Sequence, residues 1–322
     1  MKQTTIIVGA GASADFGLPL GRGLAELIYA QLDESFGPHH RDDGALRGAL
    51  ARRVGRGLAQ EDVGAALALR DGLIGASTID DILGQRGHQR PIVEIGKMAI
   101  ANAILSAEAE SPLAFDNHDR EAARAGLWRC RDTWLARLVR TTIGVPSADR
   151  FVDALTSVSF VTFNYDRCIE KYFYAYLRYV VGLPPSDAAK ALSRIHIHHV
   201  FGSLGDGVHE SDCKVPFGSA VRLEACGQAI RTFTEPMTHD ELRRLYDISR
   251  HAEQIVSIGF GFAETNVDKV FGNATVSCPV YCTTKGMRQQ AVQRIAHRFD
   301  DFRPFDGTGA ELFDEFPEIF ER

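Results

Sequence analysis

The most constraining feature of the chain stands at its start. Residues 4–8 (Thr-Thr-Ile-Ile-Val) form a β-rich run, Gly9-Ala10-Gly11-Ala12-Ser13 breaks it, and Leu18–Tyr29 then carries apolar residues at helical spacing. Strand, glycine turn and helix, in that order, open an α/β nucleotide fold. Gly9 through Ala14 loosely satisfies G-x-G-x-x-G/A. In that spacing the glycines let backbone approach a pyrophosphate at a helix N-terminus. A hydride-transfer dehydrogenase also carries an acidic residue about 20 positions on, closing a second strand. Glu26 and Asp33 fall in or just after the helix instead, which weakens that reading.

The stretch from about 33 to 60 is polar, and 60–146 reads as helices where a second strand is due. Thr78 with Asp81 forms a capping box, Ile92–Leu105 is densely apolar at helical spacing, and Asp132–Ile143 continues the pattern. The prediction is a helical insertion over 34–150, carried on a Rossmann-like domain made of 1–33 and 151–322. Strand-like runs return at 158–163, 195–201, 254–258 and 276–283. Helices are predicted through Val181, from Thr238 to about 251, from about 286 to 297, and along the acidic, Phe-rich tail Glu311–Arg322. The fold class is therefore α/β, a mostly parallel sheet with helices on both faces. Ligands of such sheets bind beyond the carboxyl ends of the strands, where every unusual motif of this chain falls.

Composition excludes some partners. With 36 basic against 42 acidic residues the formal charge is −6, so the chain lacks the basic excess of a protein that lives on duplex phosphates. Direct nucleic-acid binding is disfavoured, although Arg52, Arg53 and Arg56 cluster locally. Ile6-Ile7-Val8 is too short for a signal-peptide core, and no apolar run approaches the ~20 residues of a membrane span. A cytoplasmic location without membrane contact is expected. The six cysteines form no C-x-x-C pair, which argues against a disulfide framework and a zinc ribbon alike.

Three later motifs carry polar chemistry. In Thr162-Phe163-Asn164-Tyr165-Asp166, Thr162 and Asn164 share a face if the strand continues, while Asp166 serves equally well as a helix cap. Ile195–Ser203 holds three histidines. A metal site from His196 and His198 lacks a third ligand, whereas His199 stands three residues before the Gly202-Ser203 turn. Gly259-Phe260-Gly261 makes a second strand–glycine–helix junction, with Thr265 or Asn266 near the helix start.

Together these motifs resemble the sirtuin-like NAD-consuming family. Gly9-Ala10-Gly11-Ala12-Ser13 with Gly17-Leu18-Pro19 matches G-A-G-x-S followed by G-[IL]-P. Thr162, Asn164 and Asp166 match T-x-N-x-D, and His199–Gly205 matches the H-V-[FY]-G-S-L-G variant of bacterial sirtuin-like proteins. Two departures stand out. The paired zinc cysteines of protein-deacylating sirtuins are missing, and Phe201 occupies the place directly before the glycine where they carry histidine.

The resemblance implies a bacterial anti-phage NAD+ hydrolase that yields nicotinamide and ADP-ribose, with NAD+ as substrate and no metal. Asn164 and His199 are then the catalytic pair, Asn164 holding ribose or water and His199 acting as base or holding a ribose hydroxyl. Gly9, Ala10, Gly11, Ala12 and Ser13, with Pro19, would line the pyrophosphate site. Thr162, Asp166, Gly202 and Ser203 would join the cofactor site, Asp166 by orienting the Asn164 loop, and Gly259, Phe260, Gly261, Thr283 and Thr284 would border the adenosine. A homo-oligomer is implied, and a separately encoded sensor or ATPase, of HerA type for example, to restrain the activity. The rival readings are an NAD- or ADP-ribose-binding regulatory subunit without catalysis, a structural subunit of a defence complex, and a deacylase, which the absent cysteines disfavour.

Overall fold

Thr4–Val8 (β1) is β-branched at every position and buried at every position, the signature of a strand covered on both faces. It pairs in parallel with β2 (Val158–Thr162) on one side and with β4 (Gln254–Ile258) on the other. The sheet is completed by β3 (His196–His199), β5 (Val280–Thr283) and β6 (Phe302–Phe305), in the order β3-β2-β1-β4-β5-β6 with every pair parallel. That is the strand order of the dinucleotide-binding doubly wound fold, whose reversal of order falls between β1 and β4. The computed structural model describes residues 2–41, 44–54, 57–143, 147–205 and 215–320; Arg56, Cys213 and Arg322 lie outside them.

A short helix, α1 (Ala10–Ser13), follows β1. The chain then runs through α2 (Gly21–Phe36), α3 (Ala45–Val54), α4 (Gln60–Leu73), α5 (Ile79–Gln85), α6 (Arg90–Glu110), α7 (Arg120–Arg129), α8 (Trp134–Ile143) and α9 (Ala148–Thr156) before β2 begins. After β2 come α10 (Cys168–Tyr176) and α11 (Pro185–Leu192), and α12 (Leu223–Ala229) and α13 (His239–Arg250) lie between β3 and β4. α14 (Glu264–Phe271), α15 (Gln289–Ala296) and α16 (Gly309–Glu315) follow β4, β5 and β6. The capping boxes at Thr78–Asp81 and Thr238–Glu241 are formed as the sequence predicts.

Alternation along the strands sends side chains to two cores. Ile6, Val8, Phe160 and Ile258 join one cluster with α2, α6, α8 and α10, whereas Ile7, Val161 and Ile255 join another with α13 and α14. The helices between β1 and β2 thus share one continuous apolar cluster with the sheet. Burying each Val, Ile or Phe contributes about 1.5–3 kcal/mol, so this shared cluster holds helices and sheet together strongly. No described helix is long and apolar enough to cross a membrane.

Two expectations for the C-terminal third are corrected. The 276–283 run is strand only from Val280, with Val276 making an isolated bridge to Phe299. The tail is not one helix to the end: α16 stops at Glu315, and Pro317 starts a short 3₁₀ turn because it has no N–H to continue the ladder. β6 has no counterpart among the predicted strands. Its Phe-Arg-Pro-Phe sequence hides the alternation, and the edge position tolerates the proline.

Candidate functional site

The turns after β1 and β4 press backbone against backbone. Gly9 N–H donates to Ile258 O and Gly11 N–H to Gly259 O, both at 3.0 Å. A Cβ on Gly9 would stand 2.5 Å from Gly259 O, and one on Gly259 only 2.1 Å from Ala12 N. Gly259 also holds a φ of 60°, and its N–H donates to Thr283 Oγ1 at 2.8 Å. These glycines are therefore demanded by the contact of the two turns with each other. Gly261, with nothing within 4 Å of a Cβ, is the glycine of this junction that faces open space.

The paired turns floor a cavity of about 970 Å³ beyond the carboxyl ends of the strands. That volume is at the upper end of small-molecule sites. Phe163, Phe201, Phe233 and Phe260 form an aromatic wall, with Phe163 and Phe260 at 4.8 Å and Phe163 and Phe201 at 5.7 Å between centroids. The helical segment closes one end with Thr78, Asp80 and Ile104, and Lys285 and Thr308 stand at the end nearer β5 and β6. Asp15, Asp80 and Asp166 are its acidic groups. Burial pushes the Asp15 and Asp80 carboxyls above their usual range; the Trp134 N–H opposes the shift at Asp15, and Asp81 adds to it at Asp80.

Asn164 sits in this cavity with a defined orientation. Its Nδ2 donates to Gly9 O at 2.9 Å and to Ser13 Oγ at 2.7 Å, using both amide hydrogens. Because a carbonyl can only accept, the amide cannot be turned over, and Oδ1 is left as the acceptor available to a ligand. Ser13 Oγ donates in turn to Asp166 Oδ2 at 2.7 Å, while Asp166 Oδ1 accepts from the Cys168 N–H at the start of α10 at 3.1 Å. Asp166 thus lines the cavity and holds the first N–H of α10, while the N-cap position itself is Arg167. Thr162 does not line the cavity; its Oγ1 accepts from the Asn164 N–H at 3.1 Å and shapes the turn.

His199 is placed differently from expectation. β3 ends at His199, and Gly202 N–H closes a turn onto His199 O with Gly202 at a φ of 79°. The two-residue alternation therefore stops, and Phe201 swings into the cavity wall while His199 stays against α10. The imidazole does not line the cavity. Its Nδ1 lies 2.9 Å from Asn164 O and its Nε2 2.7 Å from Glu170 Oε1. Gly202, Ser203 and Thr284 also stand outside the lining: a Cβ on Gly202 would meet Ala229 O at 2.2 Å, and Ser203 Oγ donates to Gly205 O.

No protein-family model matches the chain, and no curated protein matches it. Among solved structures it is distantly similar to a Sir2 homolog in complex with NAD, at 13% identity and a TM-score of 0.37 over 99% of this chain and 90% of that one. It is likewise similar to a chain from work on the mechanism and regulation of Sir2 enzymes, at 11% identity and a TM-score of 0.38 over 98% and 91% of the two chains. The Rossmann-like assignment rests on strand order and direction.

Gly9–Ser13, Pro19, Asn164, Asp166, Gly259–Gly261 and Thr283 converge on the cavity. Among the described residues no group of three His, Cys, Asp or Glu side chains is placed to hold a metal. Sequence reasoning named Phe260 but missed the other rings of the aromatic wall as site residues, together with Asp15, Asp80 and Lys285. For Asp80 a signal existed, since the Thr78 capping box places it in the first turn of a helix.

Proposed function

We propose that the cavity binds NAD+ and that the protein hydrolyses its nicotinamide–ribose bond, giving nicotinamide and ADP-ribose. The observation that carries this reading is Asn164, held by Gly9 and Ser13 so that Oδ1 is its free acceptor in a cavity crossing the reversal of strand order. A dinucleotide spans such a reversal in doubly wound sheets. Cleavage passes through an oxocarbenium-like ribose, and nicotinamide leaves neutral, so no acid is required to expel it. Asn164 Oδ1 accepts a hydrogen bond from the attacking water or a ribose hydroxyl and orients it. Water adds to C1′ as the C–N bond breaks, and its surplus proton passes to solvent. Gly261, with nothing near its Cβ position, leaves backbone open to the pyrophosphate beside the Gly9–Ser13 turn, and Lys285 and Thr283 border the adenosine. The wider role we infer is that of an effector in anti-phage defence, restrained through self-assembly or a separately encoded sensor or ATPase.

Incubation with NAD+, with products resolved by liquid chromatography and mass spectrometry, tests the reaction. Nicotinamide and ADP-ribose should form with the parent protein and fall at least ~100-fold in Asn164→Ala, with binding of ADP-ribose retained. One observation favours the alternative of a binding subunit without catalysis: Phe201, not an imidazole, faces the cavity at the position before Gly202. Intact NAD+ with tight, saturable binding would select that alternative.

A further inference from the structure

We propose that His199 and Glu170 form a buried ion pair whose imidazolium clamps the Asn164 carbonyl, making His199 a positioning residue for the Asn164 side chain. The inference deepens the reading of the cavity as an NAD+-hydrolysing site and concerns the regulation of that site by pH.

Hydrogen counting carries it. Asn164 O is a carbonyl oxygen and can only accept, so the Nδ1 that lies 2.9 Å from it carries a hydrogen. Nε2 lies 2.7 Å from Glu170 Oε1, and a proton is needed on that line too. One imidazole and one carboxylate together hold the single extra proton, and burial with only 12% and 18% of the two side chains exposed keeps water from taking it. The clamp joins three elements: His199 ends β3, Glu170 lies in α10, and Asn164 begins the turn between β2 and α10. The same turn is held from the front by Asn164 Nδ2 on Gly9 O and Ser13 Oγ. Loss of the Nε2 proton sets that nitrogen's lone pair against the Glu170 carboxylate at 2.7 Å; the ring then leaves its place, the Asn164 carbonyl is freed, and rotation of the peptide carries Oδ1 away.

The surroundings favour the charged pair. Burial opposes the charge on His199, but Glu170, the Asn164 carbonyl and Asp166 outweigh it and hold the imidazole above its ordinary 6.5. Burial likewise opposes the Glu170 carboxylate, but His199 and Arg167 hold it below its ordinary 4.5. His198, next along β3, is held below its ordinary value by burial and then by the His199 charge, so it does not compete for the proton. With the imidazole's value raised, its contribution is complete below pH 6.5 and is lost as pH rises through the raised value. With the carboxyl's value lowered, its contribution is present above 4.5 and is lost as pH falls through the lowered one. Turnover is therefore flat between these limits and falls on the alkaline side as His199 discharges.

Two measurements test the clamp. The first is ¹⁵N NMR of the full chain, with the His199 ring assigned by His199→Gln. Both ring nitrogens should be protonated at pH 7, and the Asn164 amide should shift with the same alkaline titration. A neutral ring at pH 7 overturns the proposal, whatever the catalytic result. The second is the pH profile of kcat on NAD+ beside Glu170→Gln, which keeps an acceptor for Nε2 but removes the charge. The alkaline limb should move down by about one pH unit or more, with KM unchanged. His199→Gln should lose roughly 100-fold in kcat. An unshifted limb in folded Glu170→Gln overturns the proposal. If the parent protein leaves NAD+ intact, the hydrolase reading falls, and the NMR titration still decides the clamp.

Discussion

At the residue scale, the site depends on atoms that have one place to go. Asn164 spends both amide hydrogens on Gly9 O and Ser13 Oγ, and only this fixes which end of the amide meets a ligand. Gly259 is the sharpest steric case. A methyl there would meet Ala12 N at 2.1 Å on a residue already at a φ of 60°. Gly259→Ala should cost about 2–4 kcal/mol, read as a lower midpoint in urea unfolding, and weaken ADP-ribose binding as the two turns separate. Gly261→Ala has space for its methyl and should unfold within about 0.5–1 kcal/mol of the parent. Equal losses in the two variants would show that the contact between turns does not govern stability here.

At the scale of elements, α8 is the strut beneath the first glycine turn. Trp134, 1% exposed at the start of that helix, donates from Nε1 to Ala12 O at 3.0 Å and from its backbone N–H to Asp15 Oδ2 at 3.0 Å. Its ring also packs toward Phe160 of β2, with centroids 6.4 Å apart. Trp134→Ala should lose about 3–5 kcal/mol in chemical denaturation, because the ring's cavity cannot close under the sheet. Trp134→Phe keeps most of the apolar volume and should lose about 1 kcal/mol, chiefly the hydrogen bond. On the proposed reading its KM for NAD+ should rise more than its kcat falls, since Ala12 belongs to the turn that floors the cavity.

At the scale of the molecule, the helical segment and the sheet meet at a buried ion pair beside the site. Arg167, next to Asp166, is 1% exposed, and its guanidinium and N–H donate to Glu108 of α6, itself 0% exposed. Gly218 N–H donates to the same carboxylate. Removing one partner, as in Glu108→Ala, leaves a buried guanidinium without its carboxylate, though still donating to the Val215 and Pro216 carbonyls, and should cost about 3–5 kcal/mol. In a double-mutant cycle on unfolding free energy, Glu108→Ala with Arg167→Ala should cost far less than the sum of the single changes. Strict additivity would show that the two groups do not act as a pair.

What local patterning determines was legible from the start: the central strands β1, β2 and β4, the two capping boxes, the glycine turns and the placing of the motifs at strand ends. Their signals are short-range, as in the unbroken β-branched run of Thr4–Val8, and the parallel, doubly wound class follows from the order of such elements. Edge strand β6 was illegible because a proline and an arginine interrupt its alternation. The geometry of the site was decided only by the tertiary structure. A turn of four residues, closed by Gly202, sends Phe201 and His199 to opposite sides although strand alternation would align them. Asp80 and Glu170 acquire meaning only when α5 and α10 pack beside the strand ends. Chemistry-bearing residue types can be read along a chain. Which of their atoms remain free is set by partners tens to hundreds of residues away, as Gly9 does for Asn164.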